Sequence, residues 1–274
     1  MLTNNFGPAM RDCALVEPAC PAPKLELLWL PAPAQLSLRP AEAHVLAFAL
    51  DQVSDLDQAR SLLSREEKGR AARFHFEAHR TRFIAGRAWL RTVLGNYLGV
   101  KPARIVFSYN ANGKPELAEL GANSGLKFNL AHSENLALLA VTTEAEIGVD
   151  VECVHPVPEA ADLVSRFFSP REAELFENLP DEKRADAFFN LWTRKEALLK
   201  ATGEGIAHSL RSVEVSFLPY EPARLLSLSA GVGSVNHWTL SELHPAPGFT
   251  AALAVASFPI HARSFSWPPE LSLC

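Results

Sequence analysis

The feature that most limits the fold of this chain is a repeat of its own pattern. Residues 64–95 read SREEKGRAARFHFEAHRTRFIAGRAWLRTVLG, and residues 169–203 read SPREAELFENLPDEKRADAFFNLWTRKEALLKATG. Each opens on Ser near Arg and Glu, continues with a helical pattern, and ends in an aromatic-rich helix closed by glycine. Arg87 to Gly95 aligns with Lys195 to Gly203 without a gap. Upstream, HVLAFALD (44–51) matches AEIGVDVE (145–152) as strand-like runs; downstream, NLALLAVT (135–142) resembles FTAALAVA (249–256). Internal self-similarity of this kind marks a repeated supersecondary unit. Both halves read strand, helices, then about three strands, an α+β order in which an antiparallel sheet carries helices on one side. The expected division is a loose Pro- and Ala-rich tail over 1–24, an N-terminal half over 25–143, a C-terminal half over 144–258 and an extension over 259–274. Two such halves are expected to pair about a pseudo-two-fold axis, with a cleft at their seam near residue 143.

Composition narrows the class of function. With 48% apolar and 21% charged residues, the chain has what a globular core needs. A formal net charge of −5 argues against a general nucleic-acid binder, whose basic footprint would show. The acidity is uneven: between Arg60 and Arg91 nine Lys/Arg face three Glu. A local basic surface on an acidic protein suits an anionic small molecule or an acidic protein partner, although a solvated helix face gives the same pattern. The four cysteines, Cys13, Cys20, Cys153 and Cys274, lack metal-ligand spacing, which fits reduced thiols in a cytoplasmic protein. No apolar run reaches membrane-spanning length and no secretory signal opens the chain, so no membrane partner is expected.

Two motifs carry chemistry. In AEIGVDVE, Ile147, Val149 and Val151 alternate with Gly148, Asp150 and Glu152. This period of two puts an apolar face on one side of a strand and two carboxylates, about 7 Å apart, on the other. Two such acids can share a hard cation with ligand oxygens, but a solvated strand face is the commoner meaning of DxE. Gly148 either admits a close backbone or ligand approach or ends a turn. In LWTRKEALLKATGEG, Phe188, Leu191, Trp192, Leu198 and Leu199 form one apolar stripe, with Lys195 at its centre and Glu196 and Lys200 along one edge. A lysine in mid-stripe must snorkel out or meet a buried anion. Glu196 and Lys200 alone could be an exposed i,i+4 pair. Gly203 and Gly205 follow as helix-ending residues. Gly113-Lys114-Pro115 reads as a rigid turn carrying a cation, and His132, in FNLAHSEN, heads the apolar run Leu136 to Val141. No P-loop or GxGxxG pattern is present.

Taken together, GKP, FNLAHS, GVDVE and WTRKEALLK, in that order, resemble the Sfp-type 4'-phosphopantetheinyl transferases over about residues 60–210, and at the widest over 25–258. The resemblance implies that family's fold, two similar α+β halves with coenzyme A and Mg²⁺ at the seam. It also implies its reaction, of the holo-[acyl-carrier-protein] synthase type: transfer of 4'-phosphopantetheine from coenzyme A to a serine of an apo acyl or peptidyl carrier protein, by a monomer. Asp150, Glu152 and Glu196 match the family's metal-binding acids. Ligand type does not separate Mg²⁺ from Mn²⁺. Lys195 and Lys200 match its phosphate-contacting lysines, and His132 its phosphate-contacting histidine. Gly113, Lys114 and Pro115 match the turn beside the adenine, and Arg80 the arginine near the 3'-phosphate. Lys68, Arg70 and Arg87 fall where further basic contacts to coenzyme A are expected. Glu196 is the expected general base, with Lys200 assisting at the reacting phosphate. Ala131 departs from the family's usual Ser before the motif histidine, removing one hydroxyl contact. A non-catalytic coenzyme A or nucleotide binder is the alternative, and it predicts a broken set of acids, whereas all three are present.

Overall fold

In a computed structural model the chain is described over residues 28–118, 123–143, 145–203, 210–228 and 234–267. The tail expected over 1–24 and the Gly205 turn lie outside these residues. The described residues form two compact units, one from 29–143 with 261–267, the other from 145–260 with Leu28.

The first unit opens with the short strand β1 (Leu30–Pro31) and β2 (Glu42–Ala49). Helices α1 (Leu56–Ser61), α2 (Arg65–Ala71) and α3 (Glu77–Leu98) follow. A small hairpin, β3 (Phe107–Tyr109) with β4 (Pro115–Leu117), precedes β5 (Leu126–Ser133) and β6 (Leu136–Thr143). The second unit repeats this order. β7 (Ile147–Cys153) leads to α4 (Ala160–Phe167), α5 (Pro170–Glu177) and α6 (Asp181–Thr202). The hairpin β8 (Val213–Val215) with β9 (Leu225–Leu228) then precedes β10 (Thr239–Leu243) and β11 (Phe249–Val255). The sheets repeat too: β5-β6-β2 in one unit and β10-β11-β7 in the other, antiparallel throughout. The α+β class and the internal duplication are thus present in the topology itself. Residues 261–266, expected within a C-terminal extension, form β12 and insert into the first unit's sheet, parallel to both β1 and β2.

Local sequence explains the ends of these helices. Ser64 and Glu67 close a reciprocal capping box on α2, and Ser169 and Glu172 close one on α5, where Pro170 occupies the first turn. Gly203, at φ +74, ends α6 in the left-handed conformation that glycine adopts without strain. Gly95, its counterpart in the repeat, does not close α3. The helix runs on to Leu98 and is capped by Gly99 at φ +64. Gly95 is instead a point of close approach, where an added Cβ would lie 2.7 Å from the Val100 carbonyl oxygen.

Each unit has its own core under its long helix. In the first, Leu46, Phe48 and Leu50 of the β2 segment face Trp89, Leu90 and Val93 of α3, with the Phe48 and Trp89 rings stacked 5.9 Å apart. In the second, Phe188, Trp192 and Leu198 of α6 pack with Ala252 and Ala254 of β11. Among the described residues no helix is long and apolar enough to cross a membrane.

The two capping-box glutamates do more than cap. Glu67 also accepts from buried Arg87 (Nε to Oε1, 2.6 Å) and Arg91 (Nε to Oε2, 2.7 Å) of α3. Glu172 accepts from Lys195 of α6 (Nζ to Oε2, 2.5 Å) and from the Val215 backbone N–H. In the gap-free helix alignment Arg87 and Lys195 are equivalent, so each unit pins its long helix to the preceding short one through a buried ion pair at the same position, to which the first unit adds Arg91. Removing one partner of such a pair leaves an uncompensated buried charge, which costs about 3–5 kcal/mol. Glu172→Ala is expected to lose stability on that scale in urea unfolding, and Lys195→Met in the same background to recover much of it. Simple addition of the two losses would show that the pair does not couple.

Candidate active site

The face of β7 that bears Gly148 and Asp150 lies under α6 and not in solvent, and only Glu152, at its end, is partly exposed. Thr250, paired in register with Glu152, donates to Asn190 Oδ1 on α6 (3.1 Å), and Ala252 and Ala254, paired with Asp150 and Gly148, sit in the core beneath the helix. Asp150 is therefore 2% exposed and Glu196 fully buried, which differs from the half-exposed strand face that DxE suggests. Lys200 Nζ donates to Asp150 Oδ1 at 2.5 Å. Asp150 Oδ2 and both carboxylate oxygens of Glu196 have no hydrogen-bond partner.

Unpaired buried carboxylate oxygens set the electrostatics. Burial, and then the Asp150 charge, push the Glu196 carboxyl up to about 8 against the pull of Lys200. Burial likewise holds Asp150 above the usual carboxylate range, opposed by the Lys200 ammonium. Burial works against the charge on Lys200 too, but Asp150, Glu196 and Glu152 outweigh it and raise its pKa. The ammonium stays charged, and at neutral pH Glu196 keeps its proton. Three orphaned carboxylate oxygens are hard donors of the kind a divalent cation takes, and a cation would displace that proton. Glu152, on the same strand face, is near enough to act on Lys200. Even so, among the described residues no three His, Cys, Asp or Glu side chains are gathered into a ready-made metal cage.

Comparison with known proteins identifies the family. Residues 146–256 match the family described as the 4'-phosphopantetheinyl transferase superfamily, and residues 51–144 match the N-terminal region of a 4'-phosphopantetheinyl transferase family. The chain is 47% identical to the 4'-phosphopantetheinyl transferase HetI of Nostoc sp., over 90% of this chain and 98% of that one. It belongs to the 4'-phosphopantetheinyl transferase superfamily. It is also 32% identical to a 4'-phosphopantetheinyl transferase of Bacillus subtilis, over 58% of this chain and 68% of that one. With the human L-aminoadipate-semialdehyde dehydrogenase-phosphopantetheinyl transferase it shares 30% identity, over 56% and 52% respectively.

In this phosphopantetheinyl transferase the two motif lysines have separate surroundings. Lys200 joins the acid pair. Lys195, expected at a phosphate, is fully buried and committed to Glu172 and the Leu210 carbonyl, with the Phe168 ring 4.9 Å away. A lysine in mid-stripe does meet a buried anion, but that anion is a protein carboxylate. Arg87, expected at coenzyme A, is likewise buried between Glu67 and the Phe107 ring, 4.6 Å from its centroid. Both follow from their place on a helix face turned toward the capping-box glutamate. That glutamate belongs to neither chemical motif, and its signal in the sequence is the Ser-x-x-Glu spacing at 64–67 and 169–172.

The remaining predicted residues lie in the first unit. Lys68, on α2, reaches the Ser61 carbonyl at 3.4 Å. Arg80, in the first turn of α3, bridges Glu77 (2.5 Å) and the Phe74 carbonyl (3.0 Å). Arg70 lies over the Phe83 ring. Gly113, at φ +81, turns the β3–β4 hairpin, in which Asn110 Oδ1 accepts from the Lys114 backbone N–H and Pro115 begins β4. His132 is near the end of β5, opposite Ala137.

The raised Glu196 pKa has a stability signature of definite sign. Between its ordinary value of 4.5 and about 8, the folded protein holds a proton that the unfolded chain has released. Stability contributed by this group therefore falls as pH rises through that window and levels off above it. Buried His44, whose pKa burial lowers despite Glu42, works the opposite way near pH 6.5. Urea midpoints should accordingly be compared between wild type and Glu196→Gln in chelator-treated buffer from pH 5 to 9. The wild type is expected to lose ground relative to the variant as pH rises, and parallel curves would refute the shifted carboxyl.

Proposed function

We propose that this enzyme transfers the 4'-phosphopantetheine group of coenzyme A to a serine hydroxyl of an apo acyl or peptidyl carrier protein, releasing adenosine 3',5'-bisphosphate, as a cytoplasmic monomer. The observation that carries the chemistry is the buried pair Asp150–Glu196, with three unpartnered oxygens beside the Lys200 ammonium. In the reaction the serine oxygen bonds to the β-phosphorus, and the bond from that phosphorus to the bridging oxygen breaks. Charge accumulates on the leaving bisphosphate, and Lys200 is assigned to neutralise it. Glu196, once its own proton has been displaced, is the group to take the hydroxyl proton. Asp150 and Glu196, with Glu152 added, would hold a divalent cation, Mg²⁺ or Mn²⁺, which when bound supplies further neutralisation of the pyrophosphate.

Lys68, Arg80, Lys114 and His132, with the Gly113–Pro115 turn, are assigned to the nucleotide end of coenzyme A. Lys195 and Arg87 are assigned to the fold on account of their glutamate partners.

Incubation with coenzyme A, Mg²⁺ and apo-carriers from fatty-acid, polyketide and nonribosomal-peptide systems should add the phosphopantetheine mass to at least one carrier. Glu196→Gln should lower that rate by roughly 10²–10⁴-fold, the usual range for a lost acid–base group, with the fold intact. A folded protein that binds coenzyme A yet modifies no carrier would instead be a binding protein, and near-normal transfer by the variant would remove Glu196 from its role.

A further inference from the structure

Helix α6 touches β7 through main chain. An ideal Cβ built on Gly148 would lie 2.0 Å from the Ala197 carbonyl oxygen, 2.4 Å from the Ala201 nitrogen and 3.0 Å from the Lys200 carbonyl carbon. None of these can swing aside as a side chain would. The helix residues at the contact, Ala197 and Ala201, and the neighbouring β11 residues, Ala252 and Ala254, are all small and buried. The first unit solves the same packing differently. There the strand–helix space is filled by the stacked rings of Phe48 and Trp89, and Trp89 is the residue aligned with Ala197. Two rings hold a helix off its sheet, whereas glycine against alanine lets it settle until backbones meet. The unit with the close contact is the one with the acid pair. Glu196 immediately precedes Ala197 on the helix, and Asp150 lies two residues beyond Gly148 on the same strand face.

We infer that Gly148 is a positioning residue: by lacking a side chain it seats α6 on β7 and so sets the separation of Asp150 from Glu196 and Lys200. Gly148 touches no substrate, and its effect passes through the helix. The inference rests on the proposed role of these acids in holding a divalent cation, so the test must separate the two.

The probe is Mn²⁺ alone, titrated without coenzyme A and followed by electron paramagnetic resonance of the free ion, together with carrier modification. Three variants are compared with wild type. Gly148→Ala places a wedge directly between strand and helix. Ala252→Val enlarges an existing side chain under the same helix, beside Asp150. Val149→Ala trims the opposite face of β7 and serves as a control for lost stability. The wedge variants are expected to lose Mn²⁺ affinity by roughly 10–100-fold, as when groups that orient metal ligands are disturbed. Turnover should fall by about 100-fold, the scale of an ångström-sized misplacement. The control, even if equally destabilised, should keep Mn²⁺ affinity. A folded Gly148→Ala or Ala252→Val with wild-type Mn²⁺ binding would overturn the inference, as would an equal loss in Val149→Ala. Failure of wild type itself to bind Mn²⁺ would count against the metal reading of the acids, a separate outcome, and would remove the inference with it.

Discussion

A carboxylate taken out of water must bring a cation, a hydrogen-bond donor or a proton with it, and this requirement shapes both units. Glu67 and Glu172 meet it fully. Each accepts the backbone N–H of its capping serine and at least one charged side chain from the long helix. Asp150 and Glu196 meet it only in part. One ammonium serves two acids, and three oxygens are left without donors. The first arrangement is closed and belongs to the fold. The second is open, and the folded chain closes it with a proton on Glu196 until something with more positive charge arrives.

The duplication shows how one scaffold came to hold both arrangements. The ion pair from capping-box glutamate to long helix occurs in both units, so it is part of the common plan. The acid pair occurs in one. Where the second unit has Glu196, Ala197 and Lys200, the aligned first-unit residues are Ala88, Trp89 and Thr92. An aromatic filler on the helix leaves no room for a carboxylate pair between helix and strand. Replacing it with alanine opposite glycine brings the backbones together and creates a narrow site in which two acids must interact.

Much of this was legible in the sequence because it depends on local pattern. Element order and the α+β class follow from periodicity, and the grouping of Asp150, Glu196 and Lys200 follows from the family resemblance. What escaped depends on which face of an element meets which neighbour. The ungapped match of HVLAFALD to AEIGVDVE sets Asp150 against Ala49, yet the helix-facing positions of β2 are Leu46 and Phe48 while that of β7 is Asp150. A one-residue offset in a strand exchanges its faces, and composition alone does not reveal it. Gly95 was misread as a stop for a similar reason, since a glycine needed for close approach looks the same in sequence as a glycine needed for a left-handed cap. β12 could not be foreseen from order, because it pairs with a strand more than two hundred residues earlier.

The adjacent residues Lys195 and Glu196 show the same limit at its sharpest. Side by side in the motif, they are about 100° apart around the helix, and that angle divides their fates. Lys195 turns toward α5 and is used up by Glu172, while Glu196 turns toward β7 and Asp150. The motif therefore bundles a cation whose partner is a capping-box glutamate with an acid whose oxygens have no partner. The two can be told apart only by asking what lies opposite each one. A buried lysine whose counter-ion comes from its own fold has its charge already matched, which is why the cation proposed for the reaction in this helix is Lys200, one turn further on.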